Sequence, residues 1–122
     1  MSVVKASSRF RELHEFEEIF LMPNPWDVGS ARLLASLGFP ALATTSSGHA
    51  ATLGRQDQKV SRSEMLNHVA EMVAAIDVPL NVDSERGFGD TPEEVATTVQ
   101  AIAARGAAGC SIEDYDPVTR SI

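Results

Sequence analysis

The sequence predicts an α/β fold in which short parallel strands are covered by helices. Three observations carry that expectation. Strand-like and helix-like segments alternate along the 122 residues. The strand segments are short and read as apolar on both faces, as in parallel sheets buried on both sides. Polar and acidic residues collect immediately after the strands, where α/β folds bind ligands.

Residues 1–16 read as a polar, partly helical lead-in, with Phe10, Leu13, Phe16 and Phe20 near helical spacing. A first strand is expected at residues 19–22, stopped by Pro23, followed by a turn-rich loop over 24–30. Residues 31–37 read as a helix that Gly38 ends. Residues 39–45 give the second strand, and residues 46–59 a long polar loop containing Gly48, Gly54 and Asp57. Ser61 and Glu64 have the spacing of a capping box. The helix behind them carries Met65, Val69, Met72, Val73 and Ile76 on one face. Residues 78–83 form the third strand, and Gly87-Phe88-Gly89-Asp90 the loop after it. Pro92 sits at the first position of the next helix, where its missing N–H costs nothing. Val95, Val99 and Ile102 are the expected apolar stripe of that helix. Residues 107–112 give the fourth strand, ending at Glu113-Asp114, and 115–122 a tail. Such alternation leaves two architectures, an open doubly wound sheet or part of a barrel.

Composition narrows the function classes. Hydrophobic residues make up 43% and charged ones 22%, an ordinary globular balance. The net charge of −7 gives no basic patch for nucleic acid and disfavours anionic membranes. One cysteine, Cys110, permits no internal disulfide, and mid-strand it reads as a small hydrophobe. The first residues lack the apolar core of a secretory signal, and no stretch reaches a membrane span. The expected location is cytoplasmic.

Acidic residues follow three strands: Asp57 in the loop after the second, Asp83 and Glu85 after the third, Glu113 and Asp114 after the fourth. Carboxylates gathered on one rim repel unless a cation or a proton joins them. Hard divalent cations take such oxygen donors. Any one of these residues could instead cap a helix or shape a turn, as Asp90 before Thr91-Pro92 is expected to do. His49 either lines the site or sits solvated in its loop. His14 and His68 read as surface or packing residues, and Trp26 as a cover for the end of the sheet. No nucleotide-binding glycine pattern occurs.

The run Asp83-Ser84-Glu85-Arg86-Gly87-Phe88-Gly89-Asp90 resembles the Asp-x-[Asp/Glu]-x-Gly-[Tyr/Phe]-Gly segment of the isocitrate lyase / phosphoenolpyruvate mutase family. Leu21-Met22-Pro23-Asn24-Pro25-Trp26-Asp27, Ala43-Thr44-Thr45-Ser46-Ser47-Gly48 and Gly109-Cys110-Ser111-Ile112-Glu113-Asp114 resemble its segments at strands one, two and four. The resemblance runs in order from about residue 10 to the end.

It implies a (β/α)8 TIM barrel represented by its first four β/α units, with residues 1–16 as lead-in and 17–122 as strands one to four with their helices. It implies lyase or mutase chemistry on small 2-oxo or 2-hydroxy acids through an enolate-like intermediate. Mg²⁺ would chelate the substrate's carboxylate and keto oxygen. Carried over by position, Asp83 would anchor the metal, and Glu85 and Glu113 would hold its water shell. Asp57 would act near it from a gating loop, and Ser47 and Gly48 would donate to a small-molecule carboxylate substrate. Position 85 is Glu where the best-known members have Asp, which changes the reach to the metal. The family's Lys-x-Cys-Gly-His loop and its substrate-binding arginine would lie beyond residue 122.

A full barrel of this type runs to roughly 250 residues. Four strands leave two open edges, so self-association through those edges is expected. Two other readings compete: a non-catalytic Mg²⁺-binding or subunit-association fragment, and an unrelated receiver-like doubly wound domain. The receiver reading needs a strand-end lysine, and the only lysines are Lys5 and Lys59.

Overall fold

A computed structural model describes residues 1–122, the side chains of Val3 and Val4 excepted. The elements run α1 (Val3–Glu15), α2 (Val28–Ser36), β1 (Leu42–Ala43), α3 (Ser46–Thr52), α4 (Arg62–Ala75), β2 (Leu80–Asp83), α5 (Pro92–Ala104) and β3 (Gly109–Ser111). The three strands form one parallel sheet in the order β1-β2-β3. Leu42 lies opposite Leu80 and Ala43 opposite Asn81, while Asn81, Val82 and Asp83 face Gly109, Cys110 and Ser111.

The helix starts are written in the sequence. Asp27, Thr45, Ser61 and Thr91 each cap a helix by accepting a backbone N–H three residues on. At Ser61 and Thr91 a glutamate three residues later bonds back, so the expected box at Ser61/Glu64 is present and Thr91/Glu94 adds another. Pro92 is in the first turn of α5, as its ring geometry favours.

Two clusters make the core. Leu42, Leu80, Met72, Ile76 and Ala31 join β1 and β2 to α2 and α4. Val82, Val69, Leu66, Met65, Ile102 and Ala50 join β2 to α3, α4 and α5. Both lie on the helix side of the sheet. β2 therefore alternates: Leu80 and Val82 are buried beneath helices, whereas Asn81 and Asp83 are only half-buried. The expectation of strands apolar on both faces is corrected here. The face away from the helices is polar at the strand that carries the site.

Other expectations also change. Residues 19–22 form no ladder. The chain near Pro23 lies beside β1 through a single backbone bond, from Ala43 N–H to Pro23 O at 3.0 Å. Pro23 and Pro25 have no N–H to give, so a regular ladder cannot propagate there. Asn24 substitutes with its side chain, donating to the carbonyls of Ala43 (3.2 Å) and Thr44 (3.3 Å). The loop expected over 46–59 begins with a helix, α3, because Thr45 caps it and Ala50 is buried against α4. On α5 the deeply buried residues are Thr98 and Ile102; Val95, packed beside the Gly87 turn, and Val99 are only half-buried. Thr98 is tolerated inside because its hydroxyl accepts from Arg62 Nε at 2.9 Å. The tail folds into a turn closed between Asp116 and Ser121.

Candidate functional site

The site lies at the carboxyl end of the sheet and is built outward from β2. Asp83, its last residue, is fixed on every side. Its N–H donates to Thr44 Oγ1 at 2.9 Å. Its Oδ2 accepts from Ser46 N–H at 2.9 Å, and its Oδ1 from Glu85 N–H at 3.2 Å. Asp83 thus bridges the end of β1 and the turn after β2. Asn81, Asp83 and Ser111 line an open cavity of about 510 Å³, completed by Met22, Asn24 and Thr45. It lies on the polar face of the sheet.

Ser84 and Glu85 are buried, and Glu85 has a positive φ of 51°. A non-glycine residue in this region is uncommon and costs about 1–3 kcal/mol, which the surroundings must impose. Ser84 supplies part of that constraint, its hydroxyl donating to Ser111 O at 2.6 Å. Glu113 N–H donates to Glu85 O at 2.8 Å. Gly87, at φ 84°, finishes the turn; a Cβ there would stand 2.7 Å from Val95 Cγ1. Burial pushes the Glu85 carboxyl up to about 7, and the charges of Asp57, Asp83 and Glu113 push the same way. The three other acidic residues therefore all bear on Glu85 electrostatically.

Gln58 closes the arrangement from the loop after α3. Its side-chain amide donates to Glu113 Oε1 at 2.8 Å, and its N–H to Asp57 Oδ1 at 2.9 Å. Gln58 also has a positive φ, 64°. Sequence reading passed over it, since a lone loop glutamine carries no pattern. Thr44 and Ser84 lie within the segments that resemble the family but carried no expected role, although Thr44 positions Asp83 and Ser84 helps constrain the Glu85 turn.

Ser47 is exposed at the start of α3, its hydroxyl 3.4 Å from Thr45 Oγ1. Gly48 N–H is already taken by Thr45 Oγ1 at 3.1 Å, so its amide serves the helix cap. A Cβ at Gly48 would lie 2.6 Å from Thr45 and 3.2 Å from Trp26, so glycine is needed there for close packing. Burial pushes the Cys110 thiol up and keeps it protonated, which suits a packing role. His68, expected as a surface or packing residue, is buried and stacks on His49.

Among the described residues, no three His, Cys, Asp or Glu side chains stand close enough to enclose a metal ion. The donors are all hard carboxylate oxygens, and the charge on Glu85 is opposed by three carboxylates around it. That set fits Mg²⁺, which keeps several waters and touches one or two carboxylates directly. It does not fit an ion held entirely by protein groups.

The family model described as phosphoenolpyruvate phosphomutase matches residues 10–121. The chain belongs to the phosphoenolpyruvate mutase / isocitrate lyase superfamily. Members of this superfamily among the solved structures are TIM-barrel enzymes, and the parallel sheet with its helices is a partial unit of that fold. A Burkholderia cenocepacia J2315 protein assigned as a lyase/mutase is 48% identical, with a TM-score of 0.92 over 94% of this chain and 42% of its own. Oxaloacetate acetylhydrolase in complex with oxalate is 30% identical, with a TM-score of 0.84 over 91% of this chain and 40% of its own. The 2-methylisocitrate lyase of Halalkalibacterium halodurans is 31% identical over 109 residues, 88% of this chain and 36% of that enzyme. The chain spans about two fifths of the length of these superfamily members. Membership removes the receiver-like alternative. No helix among the described residues is long and apolar enough to cross a membrane.

Proposed function

We propose that this chain supplies the metal-anchoring part of a Mg²⁺-dependent lyase- or mutase-type site for small 2-oxo or 2-hydroxy acids, with C–C bond cleavage as the reaction. The observation that carries the reading is Asp83. It is the end residue of the central strand, oriented by three hydrogen bonds, and it lines the open cavity on the polar face. The names of the relatives point the same way, being those of a lyase of 2-methylisocitrate and a hydrolase of oxaloacetate.

Asp83 would hold the ion, with Glu85 and Glu113 accepting hydrogen bonds from its waters. The ion would supply positive charge to the carboxylate and keto oxygens of the substrate as enolate-like charge develops. Ser47 would donate its hydroxyl to the substrate carboxylate. Asp57, tethered through Gln58 to Glu113, would act on the substrate from its loop. Glu85, held near 7, exchanges a proton readily at neutral pH, so cation binding would displace that proton.

Titration calorimetry with Mg²⁺, alone and with oxalate, tests this reading. Heat of binding is expected for the wild-type chain and not for Asp83→Ala; no heat from folded wild type overturns it. A coupled assay for pyruvate or glyoxylate release separates catalysis from binding. Silence there with intact Mg²⁺ affinity would favour the non-catalytic fragment. We propose further that the open edges pair with another chain or with further strands of a barrel. The outer side of β3 meets no strand among the described residues, and Ile19, Leu21 and Ile112 stand exposed beside the two edges.

A further inference from the structure

Two of the three histidines, His49 and His68, form a pair that the site does not use. His49 and His68 stack face to face, ring centroids 3.7 Å apart and planes 13° from parallel. His68 is 7% exposed, and its Nε2 is buried with no hydrogen-bond partner. Buried polar atoms are nearly always paired, so an orphan of this kind calls for an explanation. His49 belongs to α3, one turn after Ser46, whose N–H holds Asp83 Oδ2 at 2.9 Å. α3 is a seven-residue helix, and it meets α4 through Ala50 and this ring stack.

We propose that His49 and His68 are a positioning pair for the site: their stack fixes α3 on α4, sets where the Ser46 N–H meets Asp83, and gives way when a proton enters it. Two neutral rings attract by dispersion at this distance. A proton on either puts charge against the face of the other, and the buried Nε2 has no acceptor to stabilise an imidazolium. The groups around the pair are mixed. Glu64 and Glu71 of α4 favour a charged His49, and Arg55 opposes it. Asp27, at the start of α2, favours a charged His68, and His49 opposes it. Burial is the largest influence on both rings and holds both below the ordinary histidine range, His68 at about 4. The stack is therefore neutral at pH 7, and the first proton is expected on the less buried His49. The inference uses the reading of Asp83 as the anchoring carboxylate, but the geometric coupling it claims can be tested without metal.

Amide and ring resonances followed by NMR between pH 7 and 4 provide that test. In the wild-type chain the Ser46 amide is expected to move with the same midpoint as the His49 ring protons. In His49→Phe, which keeps an aromatic face on His68, that component should vanish. Movement driven by the Asp83 carboxyl itself should remain in both proteins. Rings that titrate while Ser46 stays still would overturn the proposal, as would an unchanged Ser46 profile in His49→Phe. If His49→Phe does not fold, His49→Gln, which cannot titrate, carries the same comparison. Absence of Mg²⁺ and oxalate binding would sink the functional reading yet leave this pH profile intact.

Discussion

β2 and the two edges of the sheet are made of similar residues and fare very differently. β2 has strands on both sides and helices above, so Leu80 is 2% and Val82 0% exposed. The stretch around Ile19 and Leu21 meets β1 through one backbone bond, and Ile19 is 95% exposed. Among the described residues β3 has a partner on one side only, and Ile112 just beyond it is 49% exposed. Apolar character alone therefore does not make a strand; the backbone must also find a partner to bond with along its length. The site follows the same division. Asp83, Ser84 and Glu85 follow the secured strand and are individually immobilised, whereas Glu113 follows the edge strand and is held by a loop glutamine.

Truncation should expose the contrast most strongly. Val82→Ala or Leu80→Ala is expected to cost about 2–4 kcal/mol in urea unfolding. Ile19→Ala or Ile112→Ala should fall within about 0.5 kcal/mol. Equal losses at both places would erase the distinction.

At the site, Asp83→Asn should weaken Mg²⁺–oxalate binding at least about tenfold, and Glu113→Gln less, since a group acting through bound water contributes less directly. A reversed order in calorimetry would move the anchor to the edge strand.

Two buried titratable groups should give opposite slopes of stability with pH. Glu85 is raised to about 7 from 4.5, so its neutral form is favoured by folding. Its contribution is complete below about pH 4.5 and is lost as pH rises to 7. His68 is lowered to about 4 from 6.5, so folding opposes its charging. It costs nothing above pH 6.5, and stability is lost as pH falls towards 4. Urea midpoints measured from pH 4 to 7.5 without metal should therefore steepen on the acid side in Glu85→Gln and on the neutral side in His68→Phe. Each change should be on the order of 1–2 kcal/mol across the window.

The smallest effect on stability, but a visible one on assembly, is expected at the edges. Leu21→Lys or Ile112→Lys should leave unfolding almost unchanged while shifting light-scattering mass towards the monomer. A wild-type chain that is already a monodisperse monomer would show that the open edges do not associate.

Much of this organisation was legible beforehand. Ser61-Arg62-Ser63-Glu64 and Thr91-Pro92 announce helix starts because capping is local chemistry between residues three apart. The acidic strand ends were legible because strand and polar residue adjoin in sequence. What escaped was non-local or masked by composition. α3 was hidden within a polar loop, and only Ala50 against α4 secures it. Residues 19–22 have the side chains of a strand, but Pro23 and Pro25 just after them lack the N–H donors that would carry pairing with β1 onward. The alternation Leu80-Asn81-Val82-Asp83 was present to be read, and the apolar neighbours obscured it.

By itself the sequence determined the three strands that form, the helix starts at Ser61 and Thr91-Pro92 and the identity of the carboxylates, because each depends on residues within a few positions of one another. Only the tertiary structure decided that Asp83 is oriented by Thr44, Ser46 and Glu85, that Gln58 reaches Glu113, and that His49 lies on His68. Nearly all of those contacts join residues far apart along the chain. The physical reason is that burial and hydrogen-bond geometry are set by which elements pack together, and no window of neighbouring residues contains that information.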